Sequence, residues 1–249
     1  MNPYLRNLNK VEFVLTYACT GRCKHCSEGD HESTGERIDP AHSAAALRAI
    51  AAEYDIQTAM VFGGEPLLHA EAVYAILRAA TECGIPKRQI ITNGFFSNRQ
   101  EEIDEAARQL AACGVNDLLL SVDAFHQEFI PLDTVRAFAA AARSCAIPIR
   151  LQPAWLVSAE DDNPYNRKTR ELLERFGDLD FAIGEGNVIF PEGNALRYFG
   201  EYFEGVVVVN PYEEDATDIR TVSFEPNGDV LGGNFYQQDI MEILKAYRP

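Results

Sequence analysis

Six short apolar runs mark the chain up to residue 184: VEFVL (11–15), AMVF (59–62), QIIT (89–92), DLLLSV (117–122), IPIRL (147–151) and a weaker DFAIG (180–184). Stretches with helical spacing of apolar positions lie between them, at 41–54, 70–83, 98–112, 132–145 and 165–176. The beat is regular. Cys83, Cys113 and Cys145 fall 30 and 32 residues apart, and the strand ends at Gly63, Asn93 and Val122 fall 30 and 29 apart. A repeat of about 30 residues is the length of one strand plus one helix. Short apolar strands alternating with helices predict a parallel sheet covered on its outer side.

Polar residues inside these runs choose between an open sheet and a curved one. Ile147, Ile149 and Leu151 share one face of the fifth run, and Arg150 and Gln152 share the other. In the fourth, Leu119, Ser121 and Asp123 share a face. A polar face near the end of an otherwise buried strand suits a barrel mouth, where ligands bind at the C-terminal edge. The expected fold is therefore α/β, an incomplete barrel of six βα units, (β/α)6, over residues 1–200. After that the rhythm breaks into VVVV (206–209), an acidic loop PYEEDATD and TVSFEPNGDVL, where Asn227 and Gly228 predict a hairpin turn. Ile240, Ile243, Leu244 and Tyr247 then fall at helical spacing. Residues 201–249 are expected to be an accessory segment packed on the barrel.

Composition narrows the partners. The 249 residues carry 38 acidic and 22 basic side chains, a net charge of −16 whose field repels phosphate backbones, so nucleic acid is not expected. No apolar stretch approaches the ~18 residues of a membrane span, and the opening MNPYLRNLNK lacks a signal-like apolar run. A cytoplasmic protein is the expectation. Cys83, Cys113 and Cys145 each end an Ala-rich helical stretch and read as small core residues.

The other three cysteines are clustered. Cys19-x3-Cys23-x2-Cys26 follows the first strand directly, in a loop at the edge where the other polar strand ends converge. Three thiolates from one loop can bind zinc with His25 or His31 as the fourth ligand, or hold three corners of an iron–sulfur cluster. This motif resembles the signature of the radical S-adenosylmethionine (SAM) superfamily, C-x3-C-x2-C with an aromatic residue before the last cysteine, here His25. The resemblance continues through Gly63-Gly64-Glu65-Pro66, Thr92-Asn93-Gly94 and Ser121-Val122-Asp123, covering roughly residues 11 to 190. The tail resembles a SPASM-type C-terminal domain without its cysteines, so auxiliary clusters of that kind are not expected.

The resemblance implies a partial barrel holding a [4Fe–4S] cluster on Cys19, Cys23 and Cys26, with SAM chelating the fourth iron. It implies SAM contacts from Gly63, Gly64, Glu65, Asn93, Ser121, Asp123 and Gln152, with Glu65 accepting from the methionine ammonium. His126 and Arg150 are the candidate catalytic residues, the first near substrate and the second facing the SAM carboxylate or a substrate anion. The substrate expected is a small molecule or a peptide in a biosynthetic step. The electron donor expected is a flavodoxin- or ferredoxin-type protein, guided by Arg22 and Lys24 in the cysteine loop. A glycyl-radical-enzyme activase is the alternative within the class, and a non-catalytic zinc or iron–sulfur module is the alternative outside it.

Overall fold

The computed structural model describes residues 2–27, 35–205, 210 and 212–249. His31 and the VVVV run lie outside the described residues. Five strands carry the repeat: β1 (Lys10–Val14), β2 (Thr58–Phe62), β3 (Lys87–Thr92), β4 (Asp117–Ser121) and β5 (Ile149–Gln152). They alternate with helices α1 (Pro40–Glu53), α2 (Ala70–Glu82), α3 (Gln100–Ala112) and α4 (Leu132–Ser144). After β5 come β6 (Ala154–Trp155), α5 (Pro164–Glu174), β7 (Ala182–Ile183), β8 (Asn187–Val188) and α6 (Gly193–Phe199). The tail holds β9 (Thr221–Phe224), β10 (Asp229–Val230), β11 (Gly233–Asn234) and α7 (Ile240–Ala246).

One seven-stranded sheet runs in the order β7-β5-β4-β3-β2-β1-β9, and its pairings are parallel. The weak sixth run is a two-residue strand at one edge, and TVSF pairs beside β1 at the other. The turn at Asn227-Gly228 is present, with the Gly228 N–H donating to Glu225 O at 2.9 Å, but it joins β9 to β10. The antiparallel hairpin lies one step further on, where Asp229 pairs with Asn234 and Val230 with Gly233.

Side-chain parity explains the layering. Val11, Phe13, Ala59, Val61, Ile90, Leu118 and Leu120 are fully buried in the large apolar core. Their strand neighbours Glu12, Met60, Gln89, Leu119 and Ser121 occupy the opposite, inner face, because successive strand residues alternate. At about 25 cal/mol per Å² the outer apolar layer supplies most of the driving force for folding. That leaves the inner face available for polar chemistry.

The spaced cysteines have a structural origin. Cys83, Cys113 and Cys145 are the C-cap residues of α2, α3 and α4. Gly84 and Gly114 follow in the left-handed conformation, at φ +71° and +79°, and the next residue bonds back to the last helical turn. The third unit has Ala146 at φ +58° instead. The expectation of three core thiols is corrected in part: Cys113 is buried, Cys145 is half-buried and Cys83 is exposed. Arg78 of α2 reaches over Cys113, with its Nη2 3.7 Å from the sulfur.

Candidate functional site

The C-terminal ends of β1 to β4 converge on a cavity of about 120 Å³. Cys19, Cys23, Cys26, His25, Gly63, Gly64, Asn93, Ser121 and His126 line it, so residues far apart in the chain meet at one mouth. Thr92 completes the wall with Gly21, Phe62 and Ile91, three residues that sequence reasoning had passed over. The alternation that places Ser121 inside also places Phe62 and Ile91 there, and is the signal by which they could be found.

Two of the three thiols flank one point. A Cβ built on Gly21 would sit 3.2 Å from Cys23 Sγ and 3.7 Å from Cys19 Sγ. The Asn93 side-chain amide donates toward Cys19 Sγ at 3.6 Å. Burial pushes the Cys19 thiol up to about 11 and that of Cys23 higher still, with neighbouring acids and thiols adding to the shift. Such thiols are protonated at neutral pH, so a metal centre must displace their protons on binding. Their convergence in a closed loop, with no carboxylate in the lining, suits sulfur-ligated iron better than a hard cation.

Glycines let the backbone approach. Gly63 has φ +140° and a Cβ there would lie 2.6 Å from Thr16 O, while a Cβ on Gly64 would fall onto the Ala18 carbonyl. The second turn therefore lies flat against the start of the cysteine loop, held by Gly64 N–H to Thr16 O at 2.8 Å and Glu65 N–H to Ala18 O at 2.9 Å.

Two carboxylates expected at the ligand lie behind the wall instead. Glu65 is fully buried and accepts from the Leu67 N–H at 3.0 Å, the Asn93 N–H at 2.9 Å and the Thr92 hydroxyl at 2.8 and 2.9 Å. Burial pushes its carboxyl up to about 7 against these bonds. With both oxygens engaged, Glu65 braces the turns after β2 and β3. Asp123, also fully buried, accepts from the Phe125, His126 and Ala154 N–H groups at 2.9, 2.9 and 3.1 Å. Its Oδ2 also lies 2.8 Å from His126 Nδ1. Burial alone would raise the Asp123 carboxyl, but facing His126, with His25 behind it, holds it down at about 2. Asp123 is thus a clamp that aims His126 into the cavity.

His25 packs between Phe125 and His126, with ring centroids 5.0 and 4.8 Å away. Burial, reinforced by His126, pushes it down to about 4, and its Nδ1 is buried without a partner among the described residues. Cys23, His25 and His126 offer ligand atoms within 4.8 Å of one another, which is the nearest the site comes to a zinc set. α6 seats the end of the loop: the Asn194 N–H donates to Cys26 O at 2.9 Å, and a Cβ on Gly193 would fall onto the Ser27 carbonyl.

Gln152 and Arg150 are not brought to this cavity. Gln152 stands beside Ser121 in register and donates to Asn187 Oδ1 at 3.2 Å. Arg150 points toward the start of β4, where its Nε and Nη2 lie 2.9 and 2.7 Å from the Asp117 carboxylate.

Residues 13–143 match the family model described as the radical SAM superfamily. Among curated proteins, a probable GTP 3',8-cyclase of Saccharolobus islandicus is 25% identical over 262 residues, spanning 97% of this chain and 76% of the relative. The GTP 3',8-cyclase of Chlorobaculum tepidum is 28% identical over 123 residues, 49% of this chain and 35% of its own. Among solved structures, native anSMEcpe with bound AdoMet and Kp18Cys peptide aligns with a TM-score of 0.59 at 12% identity. That alignment covers 96% of this chain and 81% of the other, and carries the fold alone.

Proposed function

The chain belongs to the radical SAM superfamily, and from that premise we propose that it abstracts a hydrogen atom from carbon in a small metabolite or a peptide during a biosynthetic step. It is an enzyme that uses a [4Fe–4S] cluster and SAM, which sets aside the non-catalytic module. The observation that carries the reading is the convergence of Cys19 and Cys23 sulfur on one point beside the close-packed Gly63-Gly64 turn. Cys19, Cys23 and Cys26 would hold the cluster. When bound there and given one electron, the cluster and SAM would supply a radical able to take a hydrogen atom from carbon.

The chain's share is placement. Open backbone at Gly63 and Gly64 and the side chains of Asn93 and Ser121 line the space for SAM. Ile91 and Phe62 keep the wall apolar and limit water. His126, aimed by Asp123, presents its remaining ring nitrogen to the cavity. Of the two cations expected to guide a flavodoxin- or ferredoxin-type donor, Lys24 is ion-paired with Glu128 at 2.6 Å. Exposed Arg22 has no ion pair among the described residues and is the better candidate. Among the described residues no helix is long and apolar enough to cross a membrane.

The relatives named for GTP do not by themselves assign that substrate. A triphosphate needs several excess cations, whereas on the inner face Lys10, Lys87 and Arg150 stand against the carboxylates of Glu12 and Asp117, a surplus of one positive charge. Anaerobic reconstitution tests the reading. Iron and sulfide should reach about four each per chain, with a dithionite-reduced EPR signal that changes when SAM is added. One zinc per chain without sulfide would contradict it.

A further inference from the structure

We propose that the inner face of the sheet carries a second recognition site, built from Lys87, Asp117 and Arg150, that binds one carboxylate at the far end of an otherwise apolar substrate. The proposal deepens the reading above and relies on it only for where the reacting end lies.

Parity places the three residues. Lys87, Gln89 and Ile91 share one face of β3, Asp117, Leu119 and Ser121 one face of β4, and Arg150 and Gln152 one face of β5. Ile91 and Ser121 line the cysteine cavity; Asp117, level with Gln89, and Lys87 stand on the same face nearer the strand starts, while Arg150 is level with Leu119 and Ile91 and reaches back to Asp117. Asp117 and Ser121 are four positions apart, about 13 Å of strand.

The charges do not cancel. Asp117 is sunk, with its side chain 11% exposed, and meets Arg150 Nη2 at 2.7 Å and Lys87 Nζ at 3.1 Å. The Gln89 amide adds a bond to Asp117 at 2.7 Å. Burial would raise the Asp117 carboxyl, but the Arg150, Lys87 and Gln89 bonds outweigh it and keep it ionised. Two cations on one carboxylate leave an excess of one positive charge. Both cations reach outward, with side chains 39% and 47% exposed, and Arg150 Nη1 has no bond among the described residues. The other inner-face pair, Lys10 with Glu12 at 2.5 Å, is balanced.

Between the Asp117 row and Ser121 the inner face carries Ile91 and Leu119, which stand level with each other, while Met60 stands level with Gln89 and Asp117. A single excess charge inside a chain of net charge −16 suits a monoanion rather than a polyphosphate. The outstretched fork of Arg150 suits the geometry of a carboxylate. A ligand of this kind has a carboxylate, a hydrocarbon stretch of about 10 Å or more, and its reactive carbon under SAM.

The test uses reconstituted enzyme with SAM, titrated with 4-phenylbutyrate or with 4-phenylbutyramide, which has the same shape and no charge. The acid should bind at least tenfold more tightly than the amide. Arg150→Gln should weaken the acid about tenfold, and Lys87→Ala, which leaves the Arg150–Asp117 pair intact, about threefold, with iron content like the wild type's. Equal binding of acid and amide, or undiminished acid binding by Lys87→Ala, would overturn the site. Selective acid binding by a wild type that releases no 5′-deoxyadenosine with dithionite would support this site and count against the proposed reaction alone.

Discussion

The Asn93 backbone N–H donates to the Glu65 carboxylate at 2.9 Å, while the Asn93 side-chain amide turns the other way and reaches Cys19 Sγ at 3.6 Å. The turns after β2 and β3 are thereby tied together behind the cavity, and both contact the cysteine loop. Glu65 acts on the site through Asn93.

Glu65→Ala should therefore cost about 2–4 kcal/mol, since it leaves the Thr92 hydroxyl and the Asn93 and Leu67 N–H groups buried without acceptors. Urea unfolding of the metal-free chain measures it. A cost under about 1 kcal/mol would mean that these donors find other partners.

Gly64→Ala should keep the chain folded but displace the cysteine loop, because the added Cβ falls onto the Ala18 carbonyl. Iron retained after reconstitution and desalting should drop to a minor fraction of the wild-type value. Full iron content would show that the close approach is not required.

At Ala146 the opposite sign is expected. This exposed residue holds φ +58° where the two preceding units have glycine, so Ala146→Gly removes the Cβ strain of a left-handed residue. Greater freedom of glycine in the unfolded chain offsets part of the gain, leaving about 0.5–1 kcal/mol of added stability. A loss of stability in chemical denaturation would show that the Ala146 methyl packs usefully.

Much of this architecture was legible because its signals are local. Full burial on one strand face wrote itself as Val11 and Phe13 in β1 and Leu118 and Leu120 in β4. The helix ends announced themselves through Cys83-Gly84 and Cys113-Gly114. The pairing of β9 with β1 was hidden, since a run such as TVSF looks alike as a hairpin arm or as a parallel edge strand. Strands of two residues, such as β6 and β8, are too short for any period to register. At the site, residue types and spacing brought Cys19, Cys23, Cys26, Gly63, Asn93 and Ser121 to one cavity. What spacing could not tell was which carboxylates face it, because Glu65 and Asp123 are consumed by nearby backbone N–H groups that only the folded turns present.

The Asp117 carboxyl, held below its ordinary value in the folded chain, binds protons less readily there than when unfolded. Its contribution to stability is complete above the unfolded aspartate value near 3.9 and fades as pH falls below it. Arg150→Gln should shrink that dependence, so the stability gap between wild type and variant should be wider at pH 6 than at pH 3. Urea titrations at the two pH values check it, and a constant gap would separate Arg150 from the ionisation of Asp117.

The most direct measurement of the central claim is 5′-deoxyadenosine released from SAM by anaerobic, reconstituted enzyme on addition of dithionite. Wild type should form it and Cys23→Ala should form none above the no-enzyme background. Undiminished release by the Cys23 variant, or none by a wild type carrying about four irons, would contradict the account.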